Sequence, residues 1–165
     1  RMSSASSYTL IAAVDSNMAL GARGQMAWHI PSELQHFKFT TLGGVLIMGR
    51  TTFDSIGGKP LPGRLTIVVS ERRYDQATSN CAWVGSPKAA LAYAQEHAPK
   101  QRVWVAGGAQ IYDAMLAGAD AICLSRVPFT IPEPDVFFPS IDPLRWKVAA
   151  TYDHIDFQVE HYKPI

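Results

Sequence analysis

Cysteine is scarce in this chain: Cys81 and Cys123 are the only two among 165 residues, and their separation fits no metal or redox motif. This excludes a disulfide framework and a cysteine-based zinc site, and we expect two reduced, buried thiols in a cytoplasmic protein. Long hydrophobic runs are also missing, since no apolar stretch approaches the roughly 20 residues that span a bilayer. We therefore expect no membrane association, and we expect no metal site.

A dominant charge of one sign is missing as well. The chain has 15 Lys and Arg against 14 Asp and Glu, a formal net charge of +1, and no basic run. This disfavours general binding to nucleic acid but leaves open a local basic site for a small anionic ligand. With 47% hydrophobic and 18% charged residues, the composition is ordinary for a globular protein. We expect one domain over residues 1–165 that acts as a monomer.

Apolar runs of strand length recur, at residues 9–14, 45–49, 65–70, 103–108, 121–127, 146–152 and 157–162. The central runs are continuous rather than alternating, which indicates strands covered on both faces. Helical patterns separate them: one runs from Pro31 to about Leu42, and others follow Gly49, Ser86-Pro87 and Gly107-Gly108. We predict an α/β fold with a mostly parallel central sheet of about eight strands and four flanking helices. No helix separates the last two strands, so an antiparallel edge strand should close the sheet at the C-terminus, through a turn near 153–156.

Two of the strand–helix junctions look alike. The runs VLIM and VWVA each end in glycine, at Gly49 and at Gly107-Gly108, and a helical pattern follows each directly. Glycine could merely allow tight turns at these places. Free backbone N–H groups at two helix starts, with the basic and hydroxyl residues of 50–52 beside them, instead suit a pyrophosphate at the carboxyl edge of the sheet.

The common dinucleotide fingerprint GxGxxG is missing after the first strand, and no acidic residue stands where a ribose clamp would be expected. After the third strand, however, Ser70, Arg72 and Arg73 bring a hydroxyl and two guanidinium groups to a strand end. Together with Arg50 they suit a phosphate monoester such as the 2′-phosphate of NADP. The alternative is that Arg72 and Arg73 only keep the surface soluble.

The segment MAWHIPSELQHFK (26–38) places one carboxylate, Glu33, among apolar residues. With Pro31 in the first helical turn, Glu33 and Phe37 share a face and Leu34 lies beside them. A carboxylate among apolar side chains is costly to ionise unless it meets a cation or several donors. A solvated glutamate that stabilises the helix start is the alternative. Arg64, before the third strand, could likewise be a ligand for an anion or a surface residue.

Five segments, in their order and at their intervals, resemble the dihydrofolate reductase family over essentially the whole chain: IAAVDSNMALG, WHIPSELQHFK, VLIMGRTTFDSIGGKPLPGR, GGAQIY and DVFFP. The resemblance implies hydride transfer from NADPH to C6 of 7,8-dihydrofolate, for one-carbon metabolism, and binding of antifolate inhibitors. Two other interpretations stay open: the pyrimidine reductase of riboflavin biosynthesis on the same fold, and a folate- or nucleotide-binding module without turnover. That reductase needs neither an acid on the first helix nor an arginine for a carboxylate tail, so Glu33 and Arg64 favour folate.

The same resemblance assigns roles by position. The residues it places in catalysis or in a lid over the nicotinamide are Glu33, Met26, Trp28, Tyr112 and Ser125. Those it places around the substrate are Ile11, Ala12, Glu33, Leu34, Phe37, Thr52, Ile56, Leu61, Arg64 and Ala106. Those it places around NADPH are Ala13, Leu20, Gly21, Gly49, Arg50, Thr51, Thr52, Ser70, Arg72, Gly107, Gly108, Ala109, Gln110, Ile111 and Tyr112. The Gly107–Gly108 bond is cis in this family, and we expect it to be cis here.

Under this assignment Glu33 accepts hydrogen bonds from the 2-amino group and N3–H of the pterin, and Arg64 pairs with the α-carboxylate of the glutamate tail. Glu33 would be remote from N5, so we expect it to raise the basicity of the bound pterin while a water near Met26 delivers the proton. The segment 15–30, long for a connection, would be the lid that excludes water. Glutamate stands where many bacterial relatives have aspartate, which puts trimethoprim sensitivity in question.

Overall fold

A central sheet of eight strands organises the fold. The computed structural model describes residues 7–21, 30–72, 78 and 80–165. The strands are β1 Thr9–Val14, β2 Ala19–Gly21, β3 Val45–Gly49, β4 Leu65–Val69, β5 Cys81–Val84, β6 Val103–Val105, β7 Ala121–Arg126, β8 Val136–Phe137, β9 Trp146–Asp153 and β10 Gln158–Pro164. The helices are α1 Pro31–Thr41, α2 Arg50–Ser55, α3 Pro87–His97 and α4 Ala109–Met115, with a 3-10 helix over Leu116–Gly118.

The sheet has the order β5-β4-β3-β6-β1-β7-β10-β9. Its pairings are parallel from β5 to β7, whereas β10 runs antiparallel to both β7 and β9. In the turn between β9 and β10, the His154 N–H donates to the Phe157 carbonyl at 2.9 Å. The predicted α/β architecture is therefore confirmed, with four helices in the described ranges and an antiparallel C-terminal end.

The sequence patterns miss three short strands and extend the last helix too far. Strands β2 and β8 have three and two residues and, among the residues described, pair with each other alone; β5 has four residues. The helical pattern after Gly108 continues to Ala119, but α4 ends at Met115. The reason is that the Tyr8 hydroxyl donates to the Met115 carbonyl at 2.6 Å, while the Ala119 N–H turns to Leu116 in the 3-10 helix.

Alternate side chains of the strands build two cores, because successive residues of a strand point to opposite faces. Leu10 and Ile122 belong to the core that packs against α3 and α4. Ile11 and Cys123 belong to the core on the other face, together with side chains of α1 and α2 such as Phe37. Helices α1 and α2 therefore cover the same face of the sheet.

Cys81 and Cys123 are both free and buried, as predicted. Over the residues that the structure describes, no helix is long and apolar enough to cross a membrane. The same residues contain no group of three or more His, Cys, Asp or Glu side chains that could hold a metal ion.

Candidate active site

The first turn of α1 carries a buried carboxylate. Pro31 opens the helix, and the Glu33 side chain two residues later is only 8% exposed. Burial raises the pKa of Glu33 to about 7, against the smaller, lowering effect of the Ser125 hydroxyl, which donates to it from β7. Ser125 is itself buried. The alternative of a solvated, helix-stabilising glutamate is therefore wrong.

A second buried polar side chain connects α4 with β1. The Tyr112 hydroxyl donates to the Ile11 carbonyl at 2.6 Å, and the tyrosine ring packs against Phe138 with 4.9 Å between centroids. Burial and the negative charge of Glu33 raise the pKa of Tyr112 well above its usual range. The phenol therefore remains a neutral hydrogen-bond donor at the carboxyl half of the sheet.

The two glycine junctions lie side by side, as predicted, because β3 and β6 are parallel neighbours. The Gly49 N–H donates to the Gly107 carbonyl at 2.8 Å, and the Gly107–Gly108 bond is cis, as expected. A Cβ on Gly108 would lie 3.3 Å from the Thr52 hydroxyl, and a Cβ on Gly107 would lie 3.2 Å from the Tyr112 hydroxyl. Close packing against Thr52 and Tyr112 therefore favours glycine at these positions, and the junction contributes backbone without side chains to this sheet edge.

Arg64 is buried, with 7% of its surface exposed, so the surface alternative for this residue is wrong. Its Nε–H donates to the Thr41 hydroxyl at 2.9 Å, and its terminal nitrogens donate to the carbonyls of Pro62 and Lys38. No acidic residue of the described ranges forms an ion pair with it. Burial lowers the pKa of the guanidinium. A buried cation held only by neutral acceptors is suited to an anionic ligand.

Apolar side chains of α1 and of the segment after α2 are left partly open. Leu34 and Ile56 are 43% and 39% exposed. Phe37 and Leu61 are half-buried and pack against the core beneath α1 and α2. Large apolar side chains left open beside buried polar groups are typical of a surface that a ring-bearing ligand covers.

The predicted phosphate residues follow adjoining strand ends, since β3 and β4 are parallel neighbours. Arg50 opens α2 and pairs with Asp54, one turn later, at 3.4 Å. The Ser70 hydroxyl accepts the Arg72 N–H at 3.2 Å directly after β4. Arg50 and Arg72 are both exposed. Arg73 lies outside the described residues, so only part of this prediction has a position in the structure.

The other predicted contact residues lie on β1, on β2, at the start of α2, or at the junction of β6 with α4: Ala12, Ala13, Leu20, Gly21, Thr51, Ala106, Ala109, Gln110 and Ile111. Met26 and Trp28 lie outside the residues that the structure describes. The predicted lid is therefore represented only by its beginning, residues 15–21, and by Ile30.

The sequence patterns miss two buried polar residues beside these groups, Asp15 and Thr41. The carboxylate of Asp15 accepts the backbone N–H groups of Asn17, Ala19 and Ile131 at 2.7, 2.8 and 2.8 Å. Burial by itself raises the pKa of Asp15, but these three donors lower it overall. The carboxylate thereby fixes the start of the segment 15–21. For Asp15 the sequence offered one signal, an acidic residue directly after an apolar strand. For Thr41, a threonine at a helix end, the sequence offered no signal of burial.

The chain matches known proteins over most of its length. The family model described as dihydrofolate reductase matches residues 7–163. A dihydrofolate reductase of Neisseria meningitidis serogroup A is 42% identical over 141 residues, which cover 86% of this chain and 84% of that protein. Dihydrofolate reductase type 3 of Salmonella typhimurium is 37% identical over 146 residues, which cover 88% of this chain and 86% of that protein.

A solved structure agrees with these sequence relatives. The dihydrofolate reductase from Enterococcus faecalis, complexed with NADP(H) and RAB-propyl, has a TM-score of 0.83 to this chain at 30% sequence identity. The match covers 96% of both chains. Since the family model, the relatives and the fold agree over nearly all of the sequence, this chain belongs to the dihydrofolate reductase family.

Proposed function

We propose that this protein reduces 7,8-dihydrofolate to 5,6,7,8-tetrahydrofolate with NADPH as hydride donor. The observation that carries the proposal is a pair of buried ionisable groups, Glu33 and Arg64, neither of which has an ion-pair partner in the described part of the chain. A carboxylate suits the donor edge of a pterin, and a guanidinium suits the carboxylate of a glutamate tail. A substrate with these two groups at its two ends satisfies both residues at once.

Glu33 acts in this proposal through position and charge. With a pKa of about 7, its carboxyl group is partly ionised at neutral pH. Two donors on the pterin, the 2-amino group and N3–H, favour the ionised form. The negative charge then raises the basicity of the ring, and a water molecule supplies the proton to N5, because a carboxylate at the N3 edge cannot reach N5. Ser125 holds the carboxylate from the side of β7.

The glycine edge fits the cofactor. NADPH, when bound, supplies the hydride. A Cβ on Gly49, Gly107 or Gly108 would crowd a neighbouring side chain of the protein at 3.2 to 3.3 Å, so packing favours glycine at all three positions. Backbone without side chains at this edge suits the close approach of a cofactor phosphate. The Thr52 hydroxyl lies at the same edge, and Arg50 begins the helix beside it, where a guanidinium suits the 2′-phosphate.

We further propose that residues 1–165 act as a single domain, in the cytoplasm, as a monomer without a nucleic-acid partner. The two free, buried thiols and the net charge of +1 support this. Antifolates that carry a donor edge like that of the pterin should bind at Glu33.

The test is oxidation of NADPH by the purified protein with dihydrofolate, followed by absorbance. We expect turnover with dihydrofolate. Consumption of NADPH with the pyrimidine intermediate of riboflavin synthesis instead would favour that reductase, and binding of both ligands with a flat trace would favour a binding module. The Glu33→Gln variant should lose at least about 100-fold in kcat/KM, because two hydrogen bonds to a charged group are weakened. If Glu33→Gln transferred hydride at the wild-type rate across the pH range, the proposed role of Glu33 would be contradicted.

A further inference from the structure

Thr41, the last residue of α1, is a fully buried threonine whose hydroxyl makes two hydrogen bonds. It donates to the Phe37 carbonyl at 2.8 Å, one turn back in the helix. It accepts the Nε–H of Arg64 at 2.9 Å. The hydroxyl is therefore oriented by the helix, and it directs a lone pair at the guanidinium.

Arg64 is held against the C-terminal turn of α1 along one edge. Nη2 donates to the Lys38 carbonyl and Nη1 to the Pro62 carbonyl. A guanidinium has five N–H groups, so these contacts and the bond to Thr41 leave one N–H on each terminal nitrogen without a partner among the described residues. Two N–H groups on neighbouring nitrogens form the fork that binds a carboxylate through both oxygens.

The three groups that hold Arg64 differ in how substitution can change them. Lys38 and Pro62 contribute backbone carbonyls, which any residue at those positions would retain. Thr41 contributes a side chain, and it is the one holder whose removal leaves the backbone intact. Without its hydroxyl, Nε–H would be buried without an acceptor, and the guanidinium could rotate about its remaining contacts.

We propose that Thr41 is a positioning residue: its hydroxyl fixes the orientation of the Arg64 fork and so sets the preference for pterins with a glutamate tail over pterins without one. This rests on the proposed reduction of dihydrofolate. It goes beyond that function, because it assigns the recognition of one end of the substrate to a residue that never touches the pterin ring.

The test compares two substrates on matched variants. Thr41→Val removes the hydroxyl and keeps the shape, Thr41→Ser keeps the hydroxyl, and Thr40→Val makes the same substitution one residue earlier. The substrates are 7,8-dihydrofolate and 6-methyl-7,8-dihydropterin, which lacks the tail. For Thr41→Val we expect the KM for dihydrofolate to rise about tenfold, which is equivalent to losing one of the two hydrogen bonds between a misoriented Arg64 and the substrate carboxylate. Its kcat, and its KM for the tail-less pterin, should stay within about twofold of wild type.

Thr41→Ser should restore the wild-type KM for dihydrofolate, and Thr40→Val should leave both substrates unaffected. A purely structural role would raise the KM for both substrates together, and that result, or no change for either, would overturn the proposal. Should Thr41→Val fail to fold, Thr41→Ala takes its place, since alanine has the best helix propensity. Lack of turnover by the wild type would contradict the proposed function instead, and so the two failures are distinguishable.

Discussion

Replacing Glu33 by glutamine should stabilise the ligand-free protein at high pH even though it removes activity. Burial raises the pKa of Glu33 from its ordinary value of 4.5 to about 7, which corresponds to about 3 kcal/mol because one pKa unit is about 1.4 kcal/mol. Below pH 4.5 the carboxyl is protonated in both the folded and the unfolded chain. Between pH 4.5 and 7 only the folded chain keeps the proton, so the free energy of unfolding falls as pH rises.

Above pH 7 the folded wild type holds a buried, ionised carboxylate, and the full contribution of about 3 kcal/mol is lost. Glutamine has no such ionisation. About 0.8 kcal/mol is already lost at pH 5, so the free energy of unfolding of Glu33→Gln minus that of wild type should grow by about 2.5 kcal/mol between pH 5 and pH 8.5. The gain reflects a site shaped for a ligand rather than for stability.

The measurement is urea unfolding without ligands, at several pH values between 5 and 8.5, followed by tryptophan fluorescence. Comparing the variant with wild type at each pH cancels the contributions of other titrating groups. Glu96→Gln, at an exposed position of α3, is the matched control for the same amide substitution. Parallel pH profiles for Glu33→Gln and wild type would refute the reasoning, since they would mean that Glu33 is not buried at a raised pKa.

Three further predictions concern ligands. Glu33→Asp withdraws the carboxylate by one methylene and should lower the trimethoprim inhibition constant about tenfold, one good hydrogen bond; an unchanged constant would show that the acid's length does not govern drug fit. Arg50→Gln should raise the KM for NADPH about tenfold while leaving the KM for NADH unchanged, because the 2′-phosphate loses a cation; equal effects on both cofactors would contradict this. Gly107→Ala places a Cβ 3.2 Å from the Tyr112 hydroxyl at a backbone φ of +106°. The variant should therefore have both a lower melting temperature and a higher KM for NADPH. An unchanged melting temperature would contradict the predicted strain.

A feature could be predicted from the sequence when the residues that determine it lie close together in the chain. Glu33 could be singled out because its surroundings, Pro31 and Phe37, lie within one helix and follow helical spacing, although this spacing left a solvated glutamate open as the alternative. The glycine junctions could be predicted because parallel strands bring their carboxyl ends to one edge. In both cases the residues that determine the local structure lie within a short stretch of sequence.

The remaining features depend on contacts between distant parts of the chain. Arg64 could not be classified from its neighbours, because two of its three acceptors, the Thr41 hydroxyl and the Lys38 carbonyl, are 23 and 26 residues away. The Asp15 carboxylate meets the Ile131 N–H across 116 residues. Strand β5, with only four residues, carries too little pattern to be told from a loop. Burial of a polar group is decided by such distant partners, and no periodicity reports it.

Helix α1 determines both places at which the proposed substrate is held. Glu33 lies in its first turn, and the Lys38 carbonyl and Thr41 hydroxyl in its last part grip Arg64. At a rise of 1.5 Å per residue, Glu33 and Thr41 are about 12 Å apart along a stiff axis. The helix therefore fixes the spacing between Glu33 and the groups that hold Arg64, and we expect the site to select ligands by their length. We expect substitutions in the first turn of α1 to weaken an inhibitor that contacts Glu33 alone. Substitutions that weaken an inhibitor contacting both Glu33 and Arg64 should also weaken binding of the substrate.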